Sequence, residues 1–286
     1  MYQFLYKIFS TPFGYAMRYI YQFVGSYALA IFLFALLVKV LTLPLQMKSK
    51  RAMMSVQRIN PKIQQIQKTY GRDQRRMNEE LQKLYEKEGV SPMSGCGTQL
   101  IIIPIMIGLY GVVIQPLTYF MQLTAAQITE IAARLGYEMN GFTSQIGLAG
   151  LIHDNFDKVA DVSSRLLKVD FHLGAIDLTQ TANFRQPSLL WIIPLLSGLT
   201  ALLLSLMQQK LNRNQMGGEQ AQSAGKTMLL LMPLMSLWFS FMLPNALGIY
   251  WIANNILTAV QELFLSKWAK NQAEKENNID KEGGVS

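Results

Sequence analysis

The sequence predicts an all-α integral membrane protein with five transmembrane helices and a helical hairpin on the cytoplasmic side. Three observations predict it. Half of the 286 residues are hydrophobic and only 15% are charged, against about 25% charged in a typical soluble domain. Five apolar runs approach the roughly 20 residues that a helix needs to cross a bilayer. The net charge is +8, from 26 Lys and Arg against 18 Asp and Glu, and it is concentrated between the first two runs, which orients the chain.

Residues 1–25 are rich in Tyr and Phe, carry only the charges Lys7 and Arg18, and are interrupted by Pro12-Phe13-Gly14. No small-residue cleavage site follows a clean apolar core. The segment therefore reads as a helix lying at the outer interface, with aromatics at headgroup level, rather than as a signal peptide. The spans are read at 26–46, 94–120, 188–208, 227–243 and 245–268, with Pro244-Asn245 permitting only a tight turn between the last two.

Segment 47–93 holds eleven Lys and Arg against five Asp and Glu, so it is assigned to the cytoplasm. Its apolar residues recur at helical spacing: Ile59, Ile63, Ile66 and Tyr70, then Met77, Leu81, Leu84 and Tyr85. Gly71-Arg72-Asp73 reads as the turn of a two-helix hairpin, and Asn60-Pro61 as the start of its first helix. Five spans then put the N-terminus outside and the C-terminus in the cytoplasm. Segment 121–187, with five basic and seven acidic residues, becomes an extracellular loop with helical patches at 127–135 and 156–167. Segment 209–226 is a cytoplasmic loop, and the charge-balanced tail 269–286 reads as disordered.

The first span contains a charge, Lys39. It lies nine residues before Lys48, roughly 13 Å from the cytoplasmic edge at ~1.5 Å per residue, which is deep for a snorkelling side chain. Glu262, near the cytoplasmic end of the fifth span, is the one acid within a span. A lysine without a partner implies nearby water, since leaving the ammonium in hydrocarbon costs about 3 kcal/mol or more. The competing reading is a lysine that snorkels or is paired.

Polar residues elsewhere in the spans follow helical spacing. Lys39, Thr42 and Gln46 lie in the first span. Gln99 opens the second. Ser197, Thr200, Ser205 and Gln208 run along the third, and Trp251, Asn254, Asn255, Thr258 and Gln261 along the fifth. Each stripe alone reads as glue between helices. Together with Lys39 they point to one hydrophilic cavity biased to the cytoplasmic half. The site residues are therefore Lys39, Thr42, Gln46, Gln99, Ser197, Thr200, Gln208, Trp251, Asn254 and Asn255. The Met-rich second and fourth spans suit varied apolar partners.

The single cysteine, Cys96, excludes an internal disulfide framework, and the two histidines, His153 and His172, disfavour a metal centre. No nucleophile–base pair, phosphate loop or ligand cluster is legible, so neither an enzyme nor a cofactor is expected.

Three blocks carry a family resemblance: "SYALAIFLFALLVKVLTLPLQMKSKRAMMSVQRINPKIQQIQKTYG", "LQKLYEKEGVSPMSGCGTQLIIIPIMIGLYGVV" and "LGIYWIANNILTAVQELF". In this order they resemble the YidC/Oxa/Alb family of membrane protein insertases, over about residues 20–115 and 186–266. The resemblance implies five transmembrane helices around a hydrophilic groove open to the cytoplasm and the lipid, in a bacterial plasma membrane. It implies insertion and folding of nascent membrane proteins, with membrane lipids, the ribosome and the Sec translocon as further partners and no specific nucleic acid.

Lys39 matches the positive residue of the family's groove. Many bacterial members have Arg there, and Lys keeps the charge but loses the planar fork. Gly97-Thr98 departs from the Leu-Pro or Phe-Pro of many relatives. The chain reads as a short form, without the large external domain or the lipoprotein cysteine of some members. A transporter or channel using Lys39 as an ion site needs polar residues in the outer halves of the spans as well, which the stripes do not supply. A non-inserting assembly scaffold fits the same residues.

Overall fold

A computed structural model describes residues 2–89, 97–141, 143–212 and 219–283. The chain is mostly helical and divides into two compact units. The first comprises Met1–Val38, Ile101–Ala201 and Pro233–Asn255, and the second Lys39–Leu100, Leu202–Met232 and Ile256–Ser286.

In the first unit, α1 (Tyr2–Val24) runs unbroken through Pro12, so Pro12-Phe13-Gly14 does not interrupt it. The helix packs against α4 (Gly97–Ile114) and the short α5 (Pro116–Tyr119) through small residues. A Cβ at Gly14 would strike the Tyr119 carbonyl, and one at Gly111 would strike the Ser10 hydroxyl. The Arg18 guanidinium donates to the carbonyls of Met121 at 3.2 Å and Arg165 at 2.9 Å. An aromatic core continues from there: Tyr27 packs edge-on to Phe171 at 4.5 Å and to Phe120 at 5.9 Å.

The span read at 94–120 is not one helix. Gln115 leaves helical geometry and Pro116 begins α5, because the proline ring disfavours the α conformation of the residue before it. Residues 94–96 lie outside the described residues.

Segment 121–187 is folded. Helix α6 (Ala125–Arg134) starts at a capping box made by Thr124 and Gln127, and α7 (Ser144–Asp154) follows. The helix expected at 156–167 is replaced by two 3-10 turns, Phe156–Lys158 and Ala160–Val162. Strands β1 (His172–Leu173) and β2 (Ile176–Asp177) pair antiparallel, with His172 opposite Asp177, so the chain is not wholly α. Arg134 bonds to both Glu130 and Asp161 at 2.6 Å and holds the Asp161 carboxyl below its ordinary range. The turn before α10 (Asn245–Gly283) is tied to this segment: Asn245 N–H donates to the Gln180 carbonyl and Ala246 N–H to that of Leu178, both at 2.9 Å.

Helix α2 (Tyr27–Tyr70) passes through both Pro44 and Pro61. The helix start expected at Asn60-Pro61 is therefore corrected: the first arm of the hairpin is the same helix as the first span. Both rings sit at exposed positions, where the loss of one N–H and the local bend are accommodated most easily.

In the second unit, Gly71-Arg72-Asp73 turns the chain into α3 (Gln74–Lys87), and Asp73 caps it by accepting from Arg76 N–H at 3.1 Å. Lys62 bonds to Glu88 at 2.6 Å and holds that carboxyl below its usual range. Ile59 and Ile63 are buried.

Helices α8 (Ile192–Asn212) and α9 (Glu219–Met242) extend well into the segment read as loop 209–226, of which 213–218 lie outside the described residues. The tail read as disordered at 269–286 is likewise corrected over 269–283, where α10 continues to Gly283, while 284–286 lie outside the described residues. Its Ala, Gln, Glu and Lys are good helix formers with no proline among them, and an existing helix needs no new nucleus to propagate.

Gly14→Ala is expected to cost about 1–3 kcal/mol through overpacking against Tyr119, read as a lower thermal midpoint in detergent and earlier proteolysis of α1. Asp73→Ala removes the cap and is expected to cost about 1 kcal/mol. Amide hydrogen exchange in the first turn of α3 should accelerate, and Asp73→Asn should restore it.

Candidate functional site

The polar residues predicted for the site fall into both units. In the second unit, the Lys39 ammonium donates to the Thr258 hydroxyl on α10 at 2.8 Å. The reading of an unpartnered lysine is corrected here. Thr258 continues the polar stripe of Asn254 by one turn, and its hydroxyl supplies a neutral oxygen for the charge. Glu262 lies one further turn along α10. It forms an ion pair with Lys50 at 3.1 Å.

Thr42 donates to the Lys39 carbonyl at 3.2 Å, a local bond that turns the hydroxyl toward its own helix. Gln46 and Gln208 are half-buried, and the side chain of Gln99 lies outside the described residues. Arg51 stacks over the Trp268 ring at 5.3 Å.

In the first unit, Asn255 Nδ2 donates to Thr200 Oγ1 at 3.1 Å. Thr200 in turn donates to the carbonyls of Leu196 at 2.8 Å and Ser197 at 3.1 Å. The hydroxyls of Ser197 and Ser236 meet at 3.0 Å, and Trp251 Nε1 donates to Tyr110 Oη at 3.0 Å. Asn254 is half-buried. These bonds join α10 to α8 and to α4, and α8 to α9. Such contacts are worth about 1 kcal/mol each between membrane helices.

Sequence reading left five partners out of the site: Thr258, Glu262, Lys50, Tyr110 and Ser236. Glu262 was legible in principle, because Thr258 and Glu262 continue the fifth-span stripe at i, i+4 spacing. Tyr110 was hidden in an apolar run. Among the described residues, the second unit offers the ammonium groups of Lys39 and Lys50, the Glu262 carboxylate and the Thr258 hydroxyl. It can solvate polar and acidic groups.

The outward faces are apolar. Leu199 on α8, Trp238 on α9 and Leu41 on α2 are more than half exposed. Among the described residues, Tyr27–Tyr70 and Leu189–Leu211 are long and apolar enough to cross a bilayer, with shorter apolar helices at Pro104–Ile114 and Leu231–Met242. These features define a helical membrane protein.

The chain belongs to the 60Kd inner membrane protein family, whose model matches residues 19–274. It is 29% identical over 265 residues to the membrane protein insertase YidC of Rickettsia bellii, covering 92% of this chain and 39% of that protein. It is 32% identical over 264 residues to the YidC of Granulibacter bethesdensis, covering 91% and 38%. It is also 26% identical over 272 residues to ALBINO3-like protein 1, chloroplastic, of Arabidopsis thaliana, covering 89% and 46%. The chain spans about two-fifths of the length of these bacterial relatives. The family resemblance read from the sequence is borne out.

Asn255→Leu severs the bond to Thr200 and is expected to cost about 1 kcal/mol, read as a lower midpoint of thermal unfolding in detergent. Thr200→Ser, which keeps the hydroxyl, should stay near wild type.

Proposed function

We propose that this chain inserts nascent membrane proteins into the bilayer and helps them fold. The observation that carries the reading is Lys39, a cation within a membrane-spanning helix, held by the Thr258 hydroxyl and, among the described residues, in no carboxylate pair. The names of its relatives, insertase YidC and an ALBINO3-like protein, support it.

In this reading five spans enclose a hydrophilic groove open to the cytoplasm of a bacterial plasma membrane, with the N-terminus outside and the C-terminus inside. Lys39 of α2 and Thr258 of α10 contribute to it. A client brings a short polar, often acidic, segment into the groove. There, charge and hydrogen bonds offset the cost of taking that segment out of water. The client's apolar span partitions into lipid along the Met- and Leu-rich faces of α4 and α9, and the polar segment is released outside with help from the membrane potential. The basic hairpin formed by α2 and α3 is a docking arm for the ribosome, the Sec translocon or lipid headgroups. No bond is made or broken, so the work is solvation rather than catalysis.

The test is reconstitution into liposomes with a single-span client carrying a short acidic tail, scored by protease protection of that tail. Lys39→Glu should reduce insertion by about tenfold or more, the scale of a reversed partly buried charge, and Lys39→Arg should retain it. Indifference to Lys39→Glu across several clients overturns the reading. So does a wild-type protein that inserts nothing while conducting a solute.

A further inference from the structure

Glu262 is an acid at the cytoplasmic end of a membrane-crossing helix, beside the very cation that the insertion reading assigns to acidic clients. Its neighbourhood is built. Lys50 is 5% exposed as a residue, and its ammonium lies 3.1 Å from the Glu262 carboxylate, whose side chain is itself only 18% exposed. A buried ion pair of this kind is costly to assemble and contributes little net stability compared with an apolar pair, so stability alone explains it poorly. The same carboxylate lies one helical turn along α10 from Thr258, the hydrogen-bond partner of Lys39. Between them, Gln261 is 8% exposed, and neither of its amide atoms has a hydrogen-bond partner among the described residues. Among the described residues the cluster therefore holds the Lys39 and Lys50 ammonium groups, the Glu262 carboxylate, the Thr258 hydroxyl and the Gln261 amide.

We propose that Glu262 is the internal counter-ion of the site and thereby determines its charge specificity. It stands in for a client's acidic group, shares its charge between Lys39 and Lys50, and limits how strongly the site favours acidic over neutral segments. With Glu262 one turn from Thr258, the Lys39 charge is partly compensated, which still attracts a carboxylate but lets it go. Without the Glu262 charge, an arriving carboxylate meets Lys39 without that internal competitor, enters more readily and leaves more slowly.

This inference rests on the insertion reading, and one experiment separates the two. The full chain is reconstituted in phosphatidylcholine vesicles, which carry no net charge. Two single-span peptides are offered that differ only in the translocated tail, with two Asp in one and two Asn in the other. The readout is the ratio of protease-protected acidic to neutral tail.

Glu262→Gln should raise that ratio by roughly three- to tenfold, the range of one charge interaction between exposed and partly buried limits. Because that variant leaves Lys50 buried without its carboxylate and is at risk of misfolding, the Lys50→Gln/Glu262→Gln pair is run beside it. The pair keeps the net charge, removes the buried ion pair as a unit and frees Lys39 from its counter-ion, so its ratio should also rise. The swap Lys50→Glu/Glu262→Lys retains a pair but sets an ammonium near Lys39, and should raise the ratio again.

A ratio that stays at the wild-type value in the folded double variant, with both peptides rising or falling together, overturns the inference. So does a swap that restores wild-type behaviour, since Glu262 would then be only a brace between α2 and α10. A wild-type protein that inserts neither peptide overturns the insertion reading, and this inference with it.

Discussion

An ammonium group inside a membrane span has to be solvated by protein or water, because hydrocarbon offers it nothing. That requirement organises α10. Thr258 accepts from the Lys39 ammonium, Glu262 follows one turn later in its ion pair with Lys50, and the turns before them carry Asn255, Asn254 and Trp251. The same face logic extends to the helices that α10 meets. Thr200 gives Asn255 an acceptor, and Tyr110 gives one to Trp251. The result inverts the amphipathicity of a soluble domain, with Leu199, Leu203 and Trp238 turned outward and hydroxyls and amides turned toward neighbouring helices. Each polar side chain is inexpensive to keep there only because another one answers it.

How much of this the sequence carried depends on the range of the interaction. The hairpin turn at Gly71-Arg72-Asp73 was legible because an acid that caps a helix and the apolar spacing on either side are local signals. So was helix α6, whose capping box is written in Thr124 and Gln127. Pro61 misled, since a proline after Asn marks a helix start in isolation. Here, a helix already nucleated upstream simply runs through it. Pro116 misled in the opposite sense, since an apolar run hid the break that it imposes on Gln115. The tail was read by its charge balance, whereas propagation from the preceding turns of α10 carries it to Gly283.

Within the site, the individual stripes were legible and the pairings were not. Nothing local to Lys39 names Thr258, 219 residues away in sequence, or tells that Lys50 reaches back to Glu262. Long-range pairings also govern segment 121–187, where the fold depends on Arg18 capping two distant carbonyls and on the α9–α10 turn binding Leu178 and Gln180. Those are backbone acceptors, which leave no trace in residue identity.

The continuity of α2 has a mechanical consequence. Lys39 and the hairpin turn are carried on one helix, and from Lys39 to Tyr70 is about 46 Å at ~1.5 Å per residue. Over that length a tilt of about five degrees at the lysine displaces the far end by about 4 Å. The arm also has two joints. Pro44 cannot donate to the Val40 carbonyl, nor Pro61 to that of Gln57, so bending is concentrated at those two places. One joint lies five residues from Lys39 and the other ten residues from the turn. The helix therefore behaves as a jointed lever, in which a load applied at the basic tip is delivered beside the half-buried cation.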